Sequence, residues 1–109
     1  MEEREFEALA GVALTRIERA LDESGIDADV ELKEGGVLEL EFDNGSKIIV
    51  NRHGAAREIW VAARSGGFHF RWDGSVWRDT RDGTELFAAL SKLVSAQTGT
   101  GVILAPQQT

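Results

Sequence analysis

The chain contains no cysteine, which excludes disulfides, thiolate metal sites, iron–sulfur ligation by its own side chains and cysteine nucleophiles. A reducing cytoplasm is the simplest home. No apolar run approaches the roughly 18–20 residues that a membrane span needs, so no membrane association is expected. The first ten residues, MEEREFEALA, are acidic, whereas signal and organelle-targeting peptides are basic or Arg-rich and poor in acid. Patterns of the GxSxG, HExxH, P-loop and GxGxxG kinds are missing. Only two histidines exist, His53 and His69, and both read as ordinary surface groups on or at the end of a strand. The lack of any general-base motif weighs against an enzyme.

What is present is a 109-residue chain of ordinary globular balance, 42% hydrophobic and 28% charged, which fits one domain over residues 1–109. The formal charge of −7 is unevenly spread. Residues 1–43 hold fourteen Asp and Glu against four Lys and Arg, whereas residues 44–109 hold five against eight. A nucleic-acid binder needs a patch of the opposite sign, so nucleic acid is not an expected partner. An acidic lobe on a weakly basic body suits cations or a basic protein.

Phe6, Leu9, Ala10, Ala13, Leu14, Ile17, Ala20 and Leu21 recur at three- and four-residue steps, which predicts an amphipathic helix over 2–23 ended by Gly25. Six short alternating segments follow within 28–79: Ala28 to Lys33, Val37 to Asp43, Ser46 to Arg52, Glu58 to Arg64, Phe68 to Asp73 and Ser75 to Asp79. Turn residues separate them, namely Gly35-Gly36, Asn44-Gly45, Gly66-Gly67, Gly74 and others, so they read as antiparallel strands joined by hairpins. Asn44-Gly45 predicts a type I′ turn. A second helix is expected over 84–98, with Thr84 as N-cap and Gly99 as its stop. The tail 99–109 carries Val102, Ile103 and Leu104 and is expected to lie against the body before fraying at Pro106. Both helices need an apolar face to cover, which gives an α+β two-layer sandwich with a six-stranded antiparallel sheet.

Alternation puts Val30, Leu32, Leu38, Leu40, Phe42, Ile48, Val50, Ile59, Val61, Ala63, Phe68, Phe70 and Trp72 on the helix-covered face. The open face then carries Glu31, Glu39, Glu41, Asp43, Lys47, Asn51, Glu58, Trp60, His69 and Arg71. Trp60 is the exception among polar neighbours. Either it packs locally on Ile49, Arg64 or a loop, or it is an interface anchor.

At about 100° per residue Glu3, Glu7, Glu18 and Asp22 share roughly a third of the helix circumference, beside the buried stripe. Arg16 and Arg19 fall on the other flank, and Asp22, Glu23, Asp27, Asp29 and Glu31 carry the acid into the first strand. Two readings of this row stand, a solvated helix face or a surface for hard cations such as Fe³⁺, Ca²⁺, Mg²⁺ or Mn²⁺. Nothing encloses an ion, so modest affinity and poor selectivity are expected.

The segments GGVLELEFDNGSKIIVNR, EIWVAARSGGFHFRW and VWRDTRDGTELFAALSKLVS resemble the frataxin family in its bacterial, CyaY-type form, from about Glu3 to Thr98. The resemblance implies the frataxin fold and a small non-enzymatic protein of the bacterial cytoplasm acting in iron–sulfur cluster assembly. It implies weak, reversible binding of Fe²⁺ and Fe³⁺ on an acidic ridge, here Glu18, Asp22, Glu23, Asp27, Asp29 and Glu31, with Glu3 and Glu7 at its upper end. It also implies docking on a cysteine desulfurase and its scaffold protein, as regulator, iron supplier or both, with Asp22, Glu23, Asn51 and Trp60 as partner contacts. A monomer is implied, with iron-dependent oligomers. The alternative is an acidic docking module whose metal binding is incidental. A ferroxidase activity, credited to some relatives, has no redox or proton-transfer centre to support it. Arg19 replaces an acid common in bacterial relatives, Glu7 a histidine found in some, and His53 a glutamine of eukaryotic members.

Overall fold

Phe6, Ala10, Ala13, Leu14, Ile17, Ala20 and Leu21 are the buried stripe of a 22-residue helix, α1 (Glu3–Ser24), in the computed structural model, which describes residues 1–106. The stripe follows the 3.6-residue period, so hydrophobic burial rather than capping holds this helix: Glu2 stands at its N-cap without a side-chain bond. Gly25 ends it at φ 74°, a left-handed conformation that glycine adopts without strain, and returns its N–H to the Asp22 carbonyl.

Six strands follow, β1 (Ala28–Lys33), β2 (Val37–Phe42), β3 (Lys47–His53), β4 (Glu58–Ala63), β5 (Gly66–Trp72) and β6 (Trp77–Asp79). Each pairs antiparallel with the next, and the spatial order equals the chain order, so β1 and β6 are the edges. The second helix, α2 (Leu86–Thr98), joins α1 on one face of this sheet. Leu38, Leu40, Phe42, Ile48, Val50, Ile59, Val61 and Phe70 point into the layer between sheet and helices, as their alternation requires.

Several local expectations are corrected. Asn44-Gly45 does not form a type I′ turn: the Phe42 N–H donates to the Ser46 carbonyl and the Gly45 N–H to the Phe42 carbonyl, closing a three-residue loop. Only Gly45 takes positive φ there, at 83°, because in such a loop the third residue alone must be left-handed. Gly66 and Gly67 are not a turn but the start of β5, opposite Ala63 and Ala62. Glu85, not Thr84, caps α2, its carboxylate accepting from the Phe87 and Ala88 N–H groups. Thr84 is already committed to the preceding loop, where its carbonyl accepts from the Asp79 N–H. Leu32 is 46% exposed rather than covered, because an edge strand has a neighbour on one side only.

Gln97 is the polar bolt between the layers. Its side chain, buried on α2, accepts from the Arg64 N–H at 2.9 Å and donates to Ser46 Oγ and the Lys47 carbonyl at 3.0 and 3.2 Å. Its own carbonyl accepts from Asn44 Nδ2 at 2.7 Å. Gln97→Leu keeps the volume and strands these groups, so we expect it to cost about 1–3 kcal/mol in urea unfolding. The tail lies along α2, where Ser95 Oγ and Ser91 Oγ accept from the Val102 and Leu104 N–H groups and Leu104 is buried. Pro106, where fraying is expected to begin, is exposed and borders a cleft with Leu9, Val12 and Trp77, and the rest of the expected fraying, over 107–109, lies outside the described residues.

Candidate metal and partner site

The phase that buries one stripe of α1 presents Glu3, Glu7, Asp22 and Glu23 to solvent and leaves Glu18 half-buried. Glu3 and Asp22 are separated by about 28 Å at 1.5 Å per residue, so the row is a strip and not a point site. At its lower end a cleft of about 510 Å³ lies between α1 and β1, lined by Glu18, Arg19, Leu21, Asp22, Ala28 and Val30. Arg19 therefore shares the acidic side, contrary to its expected place on the other flank. It nonetheless forms no ion pair with Glu18 or Asp22 among the described residues.

Asp27, just ahead of β1, and Asp29 within it meet Asp43 at the far end of β2, since Ala28 pairs with Phe42 and Asp29 with Glu41. The carboxyl of Asp43 is raised above the ordinary range, chiefly by the neighbouring Asp27 carboxylate, then by desolvation and by the charge of Asp29. Three like charges are thus crowded where the strip turns from helix to sheet. Alternation alone puts Asp43 on the open face and gives no reason to join it to the acidic row. The register of the β1–β2 pair was the signal that joins it to Asp27.

Compensation along the strip is sparse. Glu3 reaches Arg57 at 4.0 Å, while Glu7, Glu18, Asp22, Glu23, Asp27, Asp29 and Glu31 have no ion pair among the described residues. The cations of this region go instead to Glu39, which takes Lys33 at 2.9 Å and Lys47 at 3.2 Å. Hydrogen bonds from those two ammonium groups hold the Glu39 carboxyl below its usual range, and Glu39 in turn raises Lys33. Among the described residues no three of His, Asp and Glu converge closely enough to enclose an ion. A hard cation would find surface oxygens here and keep much of its water.

The second cluster lies on the open face of β3–β5. Trp60 is half-buried rather than bare, and its neighbours are two imidazoles, one of them from the strand end that leads into the loop. His53 stacks on its ring at 3.7 Å and 11°, and His69 at 4.5 Å and 10°. Beneath them Glu58, expected to be solvated, has a side chain only 8% exposed. Its Oε1 accepts from Trp60 Nε1 at 2.8 Å and stands 3.5 Å from His69 Nδ1, while Oε2 accepts from Arg71 Nε at 3.0 Å. Register explains the assembly: Trp60 faces His69 on β5 and Asn51 on β3, and Glu58 faces His53. The loop after β3 orients His53, whose Nδ1 accepts from the Ala56 N–H at 3.3 Å. Arg57, the one non-glycine residue at positive φ among the described residues, closes that loop onto the Gly54 carbonyl. Asn51 lies beside Trp60 and donates from Nδ2 to the Arg52 carbonyl at 3.3 Å. Trp60 and Asn51 are thus brought together, on a sheet face separate from the α1 strip.

Residues 1–100 match the family described as the frataxin-like domain. The chain belongs to the frataxin family. It is 61% identical over 104 residues to the iron–sulfur cluster assembly protein CyaY of Dechloromonas aromatica, covering 95% of this chain and 99% of that one. The protein of the same name from Cupriavidus pinatubonensis is 58% identical over 100 residues, covering 89% and 90%. Among solved structures, frataxin from Psychromonas ingrahamii superimposes with a TM-score of 0.86 at 34% identity, covering 94% of this chain and 96% of that one. A trimeric frataxin from the yeast Saccharomyces cerevisiae, complexed with ferrous iron, gives 0.66 at 25% identity, covering 92% and 88%. The frataxin fold expected from the sequence, two helices over a six-stranded antiparallel sheet, is the one observed.

Proposed function

We propose that this chain is a non-enzymatic, cytoplasmic, one-domain component of bacterial iron–sulfur cluster assembly. It binds Fe²⁺ and Fe³⁺ weakly as cargo on the α1–β1 strip and docks on a cysteine desulfurase and its scaffold protein. The observation that carries this reading is the run of carboxylates from Glu18 to Glu31 that forms no ion pair among the described residues, with Asp43 raised by the same field. Relatives named for iron–sulfur cluster assembly support the process, and the ferrous complex of the yeast protein supports the metal. The yeast trimer supports oligomers, and in this reading the chain is a monomer that forms them on taking up iron. In this reading Glu18, Asp22, Glu23, Asp27, Asp29 and Glu31 supply oxygens, with Glu3 and Glu7 extending the strip. Asp22, Glu23, Asn51 and Trp60 meet the partners.

Carboxylates that share no enclosed site attract Fe²⁺ through the summed field, so affinity falls as salt screens it. The test is an anaerobic Fe²⁺ titration followed by residue-resolved NMR at two ionic strengths. Broadening is expected over 18–31 and 41–43, weaker at the higher salt. Broadening spread evenly over the sheet and α2 would overturn the assignment.

A second reading has its own support, since among the described residues no three carboxylates are placed to enclose an ion. In that reading the strip is a docking surface and iron binding is incidental.

A further inference from the structure

We propose that the free edge of β1 captures an extended, cationic segment of a protein partner as a seventh strand of the sheet. The inference rests on the docking reading of the α1–β1 strip and gives it a backbone component. Hydrogen bonds across β2–β3 fix which way each peptide group points. The Phe42 N–H reaches Ser46 and the Arg52 N–H reaches the Gly36 carbonyl, so the even-numbered residues of β2 bond toward β3. The odd-numbered ones, Val37, Glu39 and Glu41, bond toward β1, where their register partners are Lys33, Glu31 and Asp29. Alternation then turns the N–H and C=O groups of Ala28, Val30 and Leu32 outward. Those groups make no hydrogen bond to any other described element.

An unpaired row of this kind is a template for another strand. Its flanks decide which strand. A residue added opposite Ala28, Val30 or Leu32 sends its side chain to the α1 side, into the cleft where Glu18 and Asp22 stand above an apolar floor of Leu21, Ala28 and Val30. Arg19 is the one cation lining it among the described residues. Residues in between point to the open face, beside Asp29 and Glu31. Both faces therefore favour arginine and lysine, and half-exposed Leu32 offers an apolar ledge for alternate side chains. A second copy of this chain is disfavoured, because edge-to-edge pairing would set Asp29 and Glu31 against their own kind. Lys33 closes the acidic stretch at its far end.

The probe is a synthetic ten-residue peptide alternating arginine and valine, compared with the same peptide N-methylated at alternate amides, which keeps its charge but cannot pair. Amide hydrogen exchange at Val30 and Leu32 is read by NMR on the whole chain. With the plain peptide at about ten times its Kd, exchange there slows about tenfold, and the methylated peptide gives no protection. A Val30→Pro chain, which loses an outward N–H at an edge where proline is tolerated and keeps an apolar ring in the half-buried place of Val30, binds the plain peptide no better than the methylated one. Equal binding of both peptides without protection overturns strand addition and leaves charge docking standing. Failure of both peptides to shift any α1 or β1 signal removes the docking reading as well. Protection of Val30 and Leu32 that grows with protein concentration alone assigns the edge to self-association and overturns the proposal.

Discussion

Phe6→Ala is expected to lower the stability of the fold by about 3–5 kcal/mol, the ordinary cost of deleting a fully enclosed phenyl ring. Phe6 is completely buried, and its ring meets Trp77 edge-on at 6.0 Å and 78°. Trp77 in turn meets Trp72 at 5.5 Å and 62°, so the first turn of α1 is fastened to the β5–β6 hairpin through three aromatic rings. Domains of this size are stable by only about 5–15 kcal/mol, and the variant should melt more than about 10 °C lower. Val12→Ala is the control on the same helix. Val12 is 48% exposed, and its truncation should stay within about 0.5 kcal/mol. Urea unfolding of both variants with an unchanged m-value checks the pair. Equal, small losses would show that the start of α1 is not anchored there. The point bears on function, because the acidic strip is placed against β1 only if the helix carrying it cannot roll.

Element types were legible in the sequence because each rests on a local period. The α1 stripe from Phe6 to Leu21 repeats at helical spacing, and the alternating runs from Ala28 to Asp79 repeat at two. Local chemistry was less decisive where neighbours compete for one group. Thr84 is a good cap by type, yet its backbone was already bonded to Asp79, and the carboxylate of Glu85 reached two free N–H groups instead. The glycines at 66 and 67 suggested a turn, but pairing with Ala63 and Ala62 recruited them into β5. The candidate site divides the same way. The acidic row on α1 follows from helix phase alone. The crowding of Asp43 with Asp27 depends on strand register, and so does the stack of His53, Trp60 and His69 over Glu58, which gathers three strands and a loop. That stack also changes what Trp60 can offer a partner. Both ring faces are covered by imidazoles and its Nε1 is spent on Glu58, so a partner meets the rim of a stack and not an open indole face.

Reversing two charges, Asp22→Lys with Glu23→Lys, is expected to weaken binding to a cysteine desulfurase about a hundredfold at low salt. Each opposed pair contributes roughly 1.5 kcal/mol when close, and every 1.4 kcal/mol is a factor of ten. Both residues are exposed and free of ion pairs among the described residues, so the fold should be unchanged and the loss attributable to the surface. The matched control is Glu2→Lys with Glu5→Lys, which makes the same change in net charge away from the cleft and should alter affinity only a few-fold. Measuring both variants and the parent with and without Fe²⁺ separates the two readings of the strip. If iron and partner share these carboxylates, iron lowers the parent's affinity by neutralising them, and the reversed variant no longer responds to iron. If the strip serves docking alone, the loss is the same with and without the metal. Equal weakening by the control pair would show that only net charge matters and would remove the α1–β1 strip as the contact.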